Sequence, residues 1–244
     1  MTRTRTRRIA PIVLAAALVP ALALAAGSKS RVLTWTGPGN GITRIAVEGS
    51  VGDVTIRGED GADRISVKVT LKARRSGLPI LGSTRKGERE IEAARLGVHR
   101  DGGSVEMKLE GVDDDRHFEE RWEITVPARL LVAVENGVGD VTVKDVAGGA
   151  DIESGVGDVE VSRCGGKIDV DAGVGDVRIA LPRTEAGRIE VSSGVGDCEI
   201  RLPGRTVRGK GLGCDASWKG EGGTAVDAES GVGDVVVVLT GSAS

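Results

Sequence analysis

The chain has 244 residues with 38 glycines, three cysteines, three tryptophans, one phenylalanine and no tyrosine, and its formal net charge is -3. Glycine is at more than twice its usual share of about 7 %, and with aromatics at 2 % any core must be built from Val, Ile, Leu and Ala. Mild acidity argues against a nucleic-acid partner, and the scarcity of aromatic rings argues against a sugar-cleaving β-helix.

Arg3, Arg5, Arg7 and Arg8 precede an apolar run from Ile9 to Ala26 that closes on the small-residue pattern Ala23, Leu24, Ala25. This order predicts a secretory signal peptide over 1–26 and an exported mature chain over 27–244, in the periplasm, on the outer surface or secreted. Pro11 and Pro20 interrupt a run barely long enough to span a bilayer, so an uncleaved anchor is disfavoured and no transmembrane helix is expected after cleavage. Cleavage would leave 29 of the 33 basic residues against 36 acidic ones.

Val32 to Trp35 and Ile42 to Val47 read as strands parted by the turn-rich stretch Gly37 to Gly41. Ile65 to Leu71 reads as another. A charged excursion over 72–95 follows; Arg85 to Arg95 alternates in sign and could form a short helix, but Gly87 and the missing apolar stripe favour a solvated segment. Leu96 to Leu109 reads as a hairpin around Asp101, Gly102 and Gly103. Asp113, Asp114, Asp115, His117, Glu119 and Glu120 crowd the next loop, a run more typical of a solvated loop than of spaced metal ligands. Trp122, Ile124 and Val126 form a strand stopped by Pro127.

From there one phrase recurs: GVGDV at Gly137, Gly155, Gly173 and Gly231, and GVGDC at Gly194. Asp140, Asp158 and Asp176 are 18 residues apart, with 21 more to Asp197 and 37 to Asp234. Side chains alternate on both sides of each phrase, as in Ala150, Ile152 and Val159, Val161 against Asp151, Glu153 and Glu160, which is the period of a half-buried strand. Each unit is strand, glycine corner, strand, polar turn. Units of this size bury their apolar faces only by stacking. The expected fold is all-β: a single elongated β-solenoid of roughly 18-residue coils, regular over 130–240, with an irregular N-terminal part. Gly139, Gly157, Gly175, Gly196 and Gly233, with Gly137, Gly155, Gly173, Gly194 and Gly231, are the structural corners, where residues with a Cβ fit at a cost. Ser50 to Val54 is an early copy, and Gly211 to Asp215 resembles a scrambled one, so a degenerate coil is expected inside the 37-residue interval.

The run EITVPARLLVAVENGVGDVTV from Glu123 to Val143, the recurring corners, and GLGCDASWKGEGGTAVDAESGVGDV from Gly211 to Val235 resemble the bacterial putative-adhesin family, a β-strand-repeat domain of unknown function in exported and envelope proteins. The resemblance covers nearly all of the mature chain. It implies a solenoid-like fold at the cell envelope and no catalytic residues.

Three chemistries compete for the stack. Calcium is one, through Asp140, Asp158, Asp176, Asp197 and Asp234, because glycine and aspartate repeats resemble calcium-stabilised β-rolls; here, however, Asp follows the second Gly directly and the other half of the coil has no matching turn. Carboxylates about 4.8 Å apart repel by roughly 0.9 kcal/mol in water. About four buried aliphatic side chains per coil, at roughly 1.5–3 kcal/mol each, outweigh that without a metal. An enzyme is the second: His99 and His117 lie outside the stack without a nucleophile, and Gly204 to Gly211 is a chance near-match to a phosphate loop that lacks the magnesium-binding hydroxyl. A non-enzymatic structural or interaction module without a cofactor is the third and the expected reading, its partner a protein or envelope component. Val236 and Val238 make the last coil apolar on both faces, which suggests a covered face or an open docking end. Cys198 fills an inward Val position and Cys214 follows 16 residues later; they either bridge adjacent rungs, leaving Cys164 free, or are small buried hydrophobes.

Overall fold

The protein is described here by a computed structural model covering residues 30–74, 83–112, 117–209 and 213–241. The signal-peptide assignment and Asp113, Asp114 and Asp115 of the acidic loop lie outside the described residues.

Two sheets face each other across an aliphatic core, and most coils give one strand to each. β1 (Ser30–Pro38), β2 (Arg44–Glu59), β3 (Arg64–Ala73), helix α1 (Ser83–Ala93), β4 (Arg95–Asp101), β5 (Ser104–Glu110) and β6 (Phe118–Pro127) form the first half of the chain. Then come β7 (Leu131–Val138), β8 (Val141–Lys144), β9 (Ala150–Val156), β10 (Val159–Ser162), β11 (Lys167–Val174) and β12 (Val177–Pro182). The chain ends with β13 (Ala186–Val195), β14 (Cys198–Leu202), β15 (Arg205–Arg208), β16 (Cys214–Lys219), β17 (Thr224–Val232) and β18 (Val235–Thr240). The alternating pattern fixes which side chains enter the core. Val141, Val159, Val177, Val235 and Cys198 form one buried row, and Val143, Val161, Ile179, Val237 and Ile200 the next.

The stacking order departs from chain order at both ends. In the first sheet the order is β4, β5, β2, β7, β9, β11, β17, β13, β16; in the second it is β1, β3, β6, β2, β8, β10, β12, β18, β14, β15. The last coil of the chain, β17 with β18, is therefore inserted between the coils of β11–β12 and β13–β14. At the other end β2 bends through its own corner, serves both sheets, and is likewise held one layer inside. All pairings from β5 to β13 and from β6 to β14 are parallel, whereas the outermost strands β4, β16, β3, β1 and β15 run antiparallel to their neighbours. Antiparallel strands close both ends of the parallel stack, covering edges that would otherwise template pairing with another chain.

Three expectations are corrected. The N-terminal part is not irregular: β1, β3 and β6 form an antiparallel sheet, and its fully buried Trp122 and Phe118 are the two largest side chains in the core. The charged excursion is not merely solvated. It contains α1, whose Ile91 is buried while Glu90 accepts a hydrogen bond from the backbone N–H of His117 at 2.9 Å. The Arg31 guanidinium donates to the carbonyls of Ile91, Glu92 and Ala94 at 2.8–2.9 Å, satisfying the helix C-terminus. Among the described residues the 37-residue interval forms no further coil either; β15 and β16 fold back antiparallel on β14 and β13 as the end cap.

Asp145 and Arg163, one coil apart, both have positive φ (60° and 51°) and are joined by a two-point ion pair at 2.5 and 2.9 Å. The hydrogen bonds from Arg163 hold the Asp145 carboxyl below its ordinary value.

Candidate functional site: the corner edge of the stack

Each GVGD phrase turns the chain from the first sheet to the second. The second glycine takes a φ that a side chain rarely adopts: 132° at Gly139, 141° at Gly157, 147° at Gly175, 148° at Gly233 and 155° at Gly196. The tight turn brings the corners of adjacent coils together, and a Cβ on Gly157 would stand 2.2 Å from the carbonyl oxygen of Gly139.

The aspartates form a ladder. Asp140 accepts a hydrogen bond from the backbone N–H of Asp158 at 3.0 Å, Asp158 from Asp176 at 2.9 Å, Asp176 from Asp234 at 2.9 Å, and Asp234 from Asp197 at 2.8 Å. Asp53 of the early copy stands in the same ladder, 3.4 Å from the Asp140 N–H. One carboxylate oxygen per corner thus satisfies a corner N–H of the next coil. The five calcium candidates are brought into line, but Asp140, Asp158, Asp176 and Asp234 serve as backbone acceptors and Asp197 ends the ladder as a backbone donor. Among the described residues no group of three or more His, Cys, Asp or Glu is placed to hold a metal ion.

This makes an expected result for the metal question. The thermal midpoint should be the same in chelator and in millimolar calcium, and Asp158→Ala should cost about 1 kcal/mol, with Asp158→Asn costing less because it retains an acceptor. A saturable rise with calcium that Asp158→Asn abolishes would restore the ion-binding reading.

Between the glycines of each corner lies a valine that the turn throws outward. Val138, Val156, Val174, Val232 and Val195 are 45 %, 48 %, 47 %, 48 % and 60 % exposed and are the exposed large hydrophobics of the described residues. They pair in sequence across the coils, with half-buried Val51 continuing the row, so the stripe is unbroken. On one side runs the aspartate ladder. On the other, the outer face of the first sheet carries a row of exposed acids, Glu48, Glu135, Glu153, Asp171 and Glu229. A groove of 590 Å³, lined by Gly137, Gly155 and Gly173 together with Glu135, Glu153 and Asp171, follows the inner side of that row.

The other site expectations fall away from this edge. Cys198 and Cys214 form a disulfide that ties β14 to β16, while Cys164 is a free buried thiol whose pKa burial raises. Val236 and Val238 do not mark an open end. β18 is paired on both edges, Val236 lies between Arg178 and Glu199 and is 7 % exposed, and neither the N-terminal strands nor α1 is needed to cover it. The apolar character of Val236 suits an inserted strand flanked there by the long side chains of Arg178 and Glu199. His99 is on β4, and His117 is paired with Glu90 at 3.2 Å. Glu119 pairs with Arg74, and Glu120 turns inward to the backbone N–H groups of Ser50 and Val51. The phosphate-loop near-match forms strand β15 over Arg205–Arg208.

Sequence reasoning missed the corner valines. The available signal was their strict repetition: an aliphatic residue between two glycines at every corner, where a tight turn has no interior to bury it.

Residues 128–238 match the family model described as Toastrack DUF4097. No curated protein matches the chain. Among solved structures, a putative cell adhesion protein from Clostridium sporogenes is similar at 16 % identity and a TM-score of 0.57, over 87 % of this chain and 100 % of that one. A putative adhesin from Bacteroides fragilis is matched at 11 % identity and a TM-score of 0.35, over 84 % of this chain and 96 % of that one. The Clostridium structure shares the fold over most of the chain, and residues 128–238 are similar to the Toastrack DUF4097 family.

Proposed function

We propose that the protein is a non-catalytic module, exported to the cell envelope or surface, that holds a partner along the corner edge of a stack of roughly 18-residue coils. The observation that carries this reading is the unbroken row of exposed valines. A β-branched residue stiffens the extended backbone beside a corner glycine, yet threonine would do that equally well while remaining hydrated. Valine at every corner instead leaves a contiguous apolar stripe, the kind of surface that marks an interaction site. Export is supported by the N-terminal pattern of arginines, apolar run and small residues, and by the fold shared with a putative cell adhesion protein. No helix among the described residues is long and apolar enough to cross a membrane.

The test is in-cell photocrosslinking with a benzophenone amino acid placed at Val156 or Val174, and at exposed Glu185 as control. Discrete adducts in the envelope fraction from the two corner positions, and none from Glu185, are expected. Retention of the protein in the cytoplasm, or equal labelling at all three positions, would reject the reading.

A further inference from the structure

Several acids on the outer faces of the sheets carry a basic partner, whereas those beside the valines do not. Asp169 is held by Lys167, Glu190 by Arg188, Glu160 by Lys144, Glu123 by Lys68, and Glu199 by Arg201 and Arg208. The four coils that carry Val138, Val156, Val174 and Val232 present Glu135, Glu153, Asp171 and Glu229 on one flank and Asp140, Asp158, Asp176 and Asp234 on the other. Among the described residues none of these carboxylates stands in an ion pair. The stripe is therefore an apolar ridge between two rows of uncompensated negative charge.

That pattern selects its occupant. A second copy laid edge to edge would bring acid rows against acid rows in either orientation, since both flanks are acidic, and an anionic bilayer would meet the same repulsion. An added β-strand finds nothing to pair with, because the corner N–H groups are already spent on the aspartates and carbonyls of neighbouring coils. Its side-chain repeat of about 6.7 Å would also lose step with coils about 4.8 Å apart. An α-helix advances about 5.4 Å per turn, so its apolar stripe stays near one valine per turn over several coils. Residues on either side of that stripe overhang the two acid rows.

Resting on the function proposed above, we infer that the corner edge docks a cationic amphipathic α-helix of a partner polypeptide. The helix lies along the stack axis, with one aliphatic stripe on Val138, Val156, Val174, Val232 and Val195 and Lys or Arg on both flanks of that stripe. On the sheet side, the glycine-lined groove gives the stems of those basic residues a place to lie beside Glu135, Glu153 and Asp171. Spanning the six coils from Val51 to Val195 takes a helix of roughly 16 residues at about 1.5 Å each.

The probe is a fluorescent synthetic peptide of that length with leucines on one helical face and lysines on both sides of it, compared by anisotropy with a scrambled peptide of identical composition. The purified protein should bind the patterned peptide at least about tenfold more tightly than the scrambled one, with affinity falling as salt rises. Val156→Thr/Val174→Thr/Val232→Thr, which keeps β-branching, should cost about tenfold or more. Glu135→Gln/Glu153→Gln/Asp171→Asn/Glu229→Gln, which touches no internal hydrogen bond, should do the same and flatten the salt dependence. Melts identical to the parent establish that both variants are folded. Equal binding of the two peptides, or insensitivity to the threonine variant, would overturn the inference as nonspecific charge attraction. Self-association in sedimentation, or flotation with phosphatidylglycerol vesicles, lost in the threonine variant, would overturn it by giving the stripe to a second copy or a bilayer. Valine-directed crosslinks in cells without patterned-peptide binding would overturn this partner chemistry alone, leaving the interaction function standing.

Discussion

Gly157→Ala should remove more than about 4 kcal/mol of stability, a loss beyond the usual range for one methyl group and a large share of the roughly 5–15 kcal/mol that holds most domains folded. Two costs coincide at this corner. The backbone sits at φ 141°, where a side chain is strained whatever the space, and the new Cβ would stand 2.2 Å from the Gly139 carbonyl oxygen. That oxygen cannot withdraw easily. The Gly139 carbonyl accepts from the Asn136 side chain at 3.0 Å, and the Gly139 N–H donates to Val156 at 2.8 Å. Relief would require opening the corners of two coils together. Gly204→Ala is the internal comparison: its φ is 80° but nothing lies within 4 Å of the added methyl, so it should cost only the left-handed backbone term, about 1–2 kcal/mol. Urea midpoints of the two variants measure the difference. Equal shifts would mean that the corners have slack and that the close coil contact contributes little.

The same corner explains what could be read in advance. Gly157, Asp158 and the alternation of Val159, Glu160 and Val161 encode a local shape, and local shape repeated at a fixed interval implies a stack. Which coil lies beside which is a different matter. The inward rows of β12, β14 and β18 are Val177 and Ile179, Cys198 and Ile200, and Val235 and Val237, and any of these would fit against any other. Insertion of the last coil between β12 and β14 is decided by the long return through β15 and β16 and by the disulfide, both nonlocal. Val236 therefore pointed to a face covered by another segment or to an open docking end, when its neighbours are Arg178 and Glu199. α1 was obscure for a related reason: a single buried Ile91, with Glu90 satisfied by the distant His117, leaves no apolar periodicity to detect. The valine stripe was in plain view as a letter in the repeat. Its exposure depends on the backbone reversal at the following glycine, which alternation alone would have carried inward past Asn136.

The Cys198–Cys214 disulfide yields the second large effect, one confined to the end cap. It joins the first residue of β14 to the first residue of β16, 16 positions on, while the intervening β15 pairs only with β14. Closing a loop of that length restricts the unfolded chain by about 3 kcal/mol, so Cys198→Ala/Cys214→Ala should lower stability by about 2–4 kcal/mol. Hydrogen exchange should report the loss first in β15 and β16, with β9 to β12 retaining their protection. Val207 and Trp218 pack this cap against the core, and Glu199 adds a polar tie. Arg208 and Arg201 both donate to Glu199, at 2.7 and 2.6 Å, and hold its carboxyl below the usual range. A depressed carboxyl contributes stability that is present above its unfolded-state value and lost as pH falls through the lower folded-state value. The alanine pair should accordingly lose β15 protection at a higher pH than the parent protein, because the Arg208–Glu199 ion pair then carries a larger share of what holds the strand. Freed of the cap, β13 and β14 become parallel edges with unpaired N–H and C=O groups, and the variant should associate in a concentration-dependent way that the parent does not. Unchanged exchange in β15 and β16 would show that the antiparallel pairing holds the end of the stack by itself and that the disulfide only guards against reshuffling with Cys164.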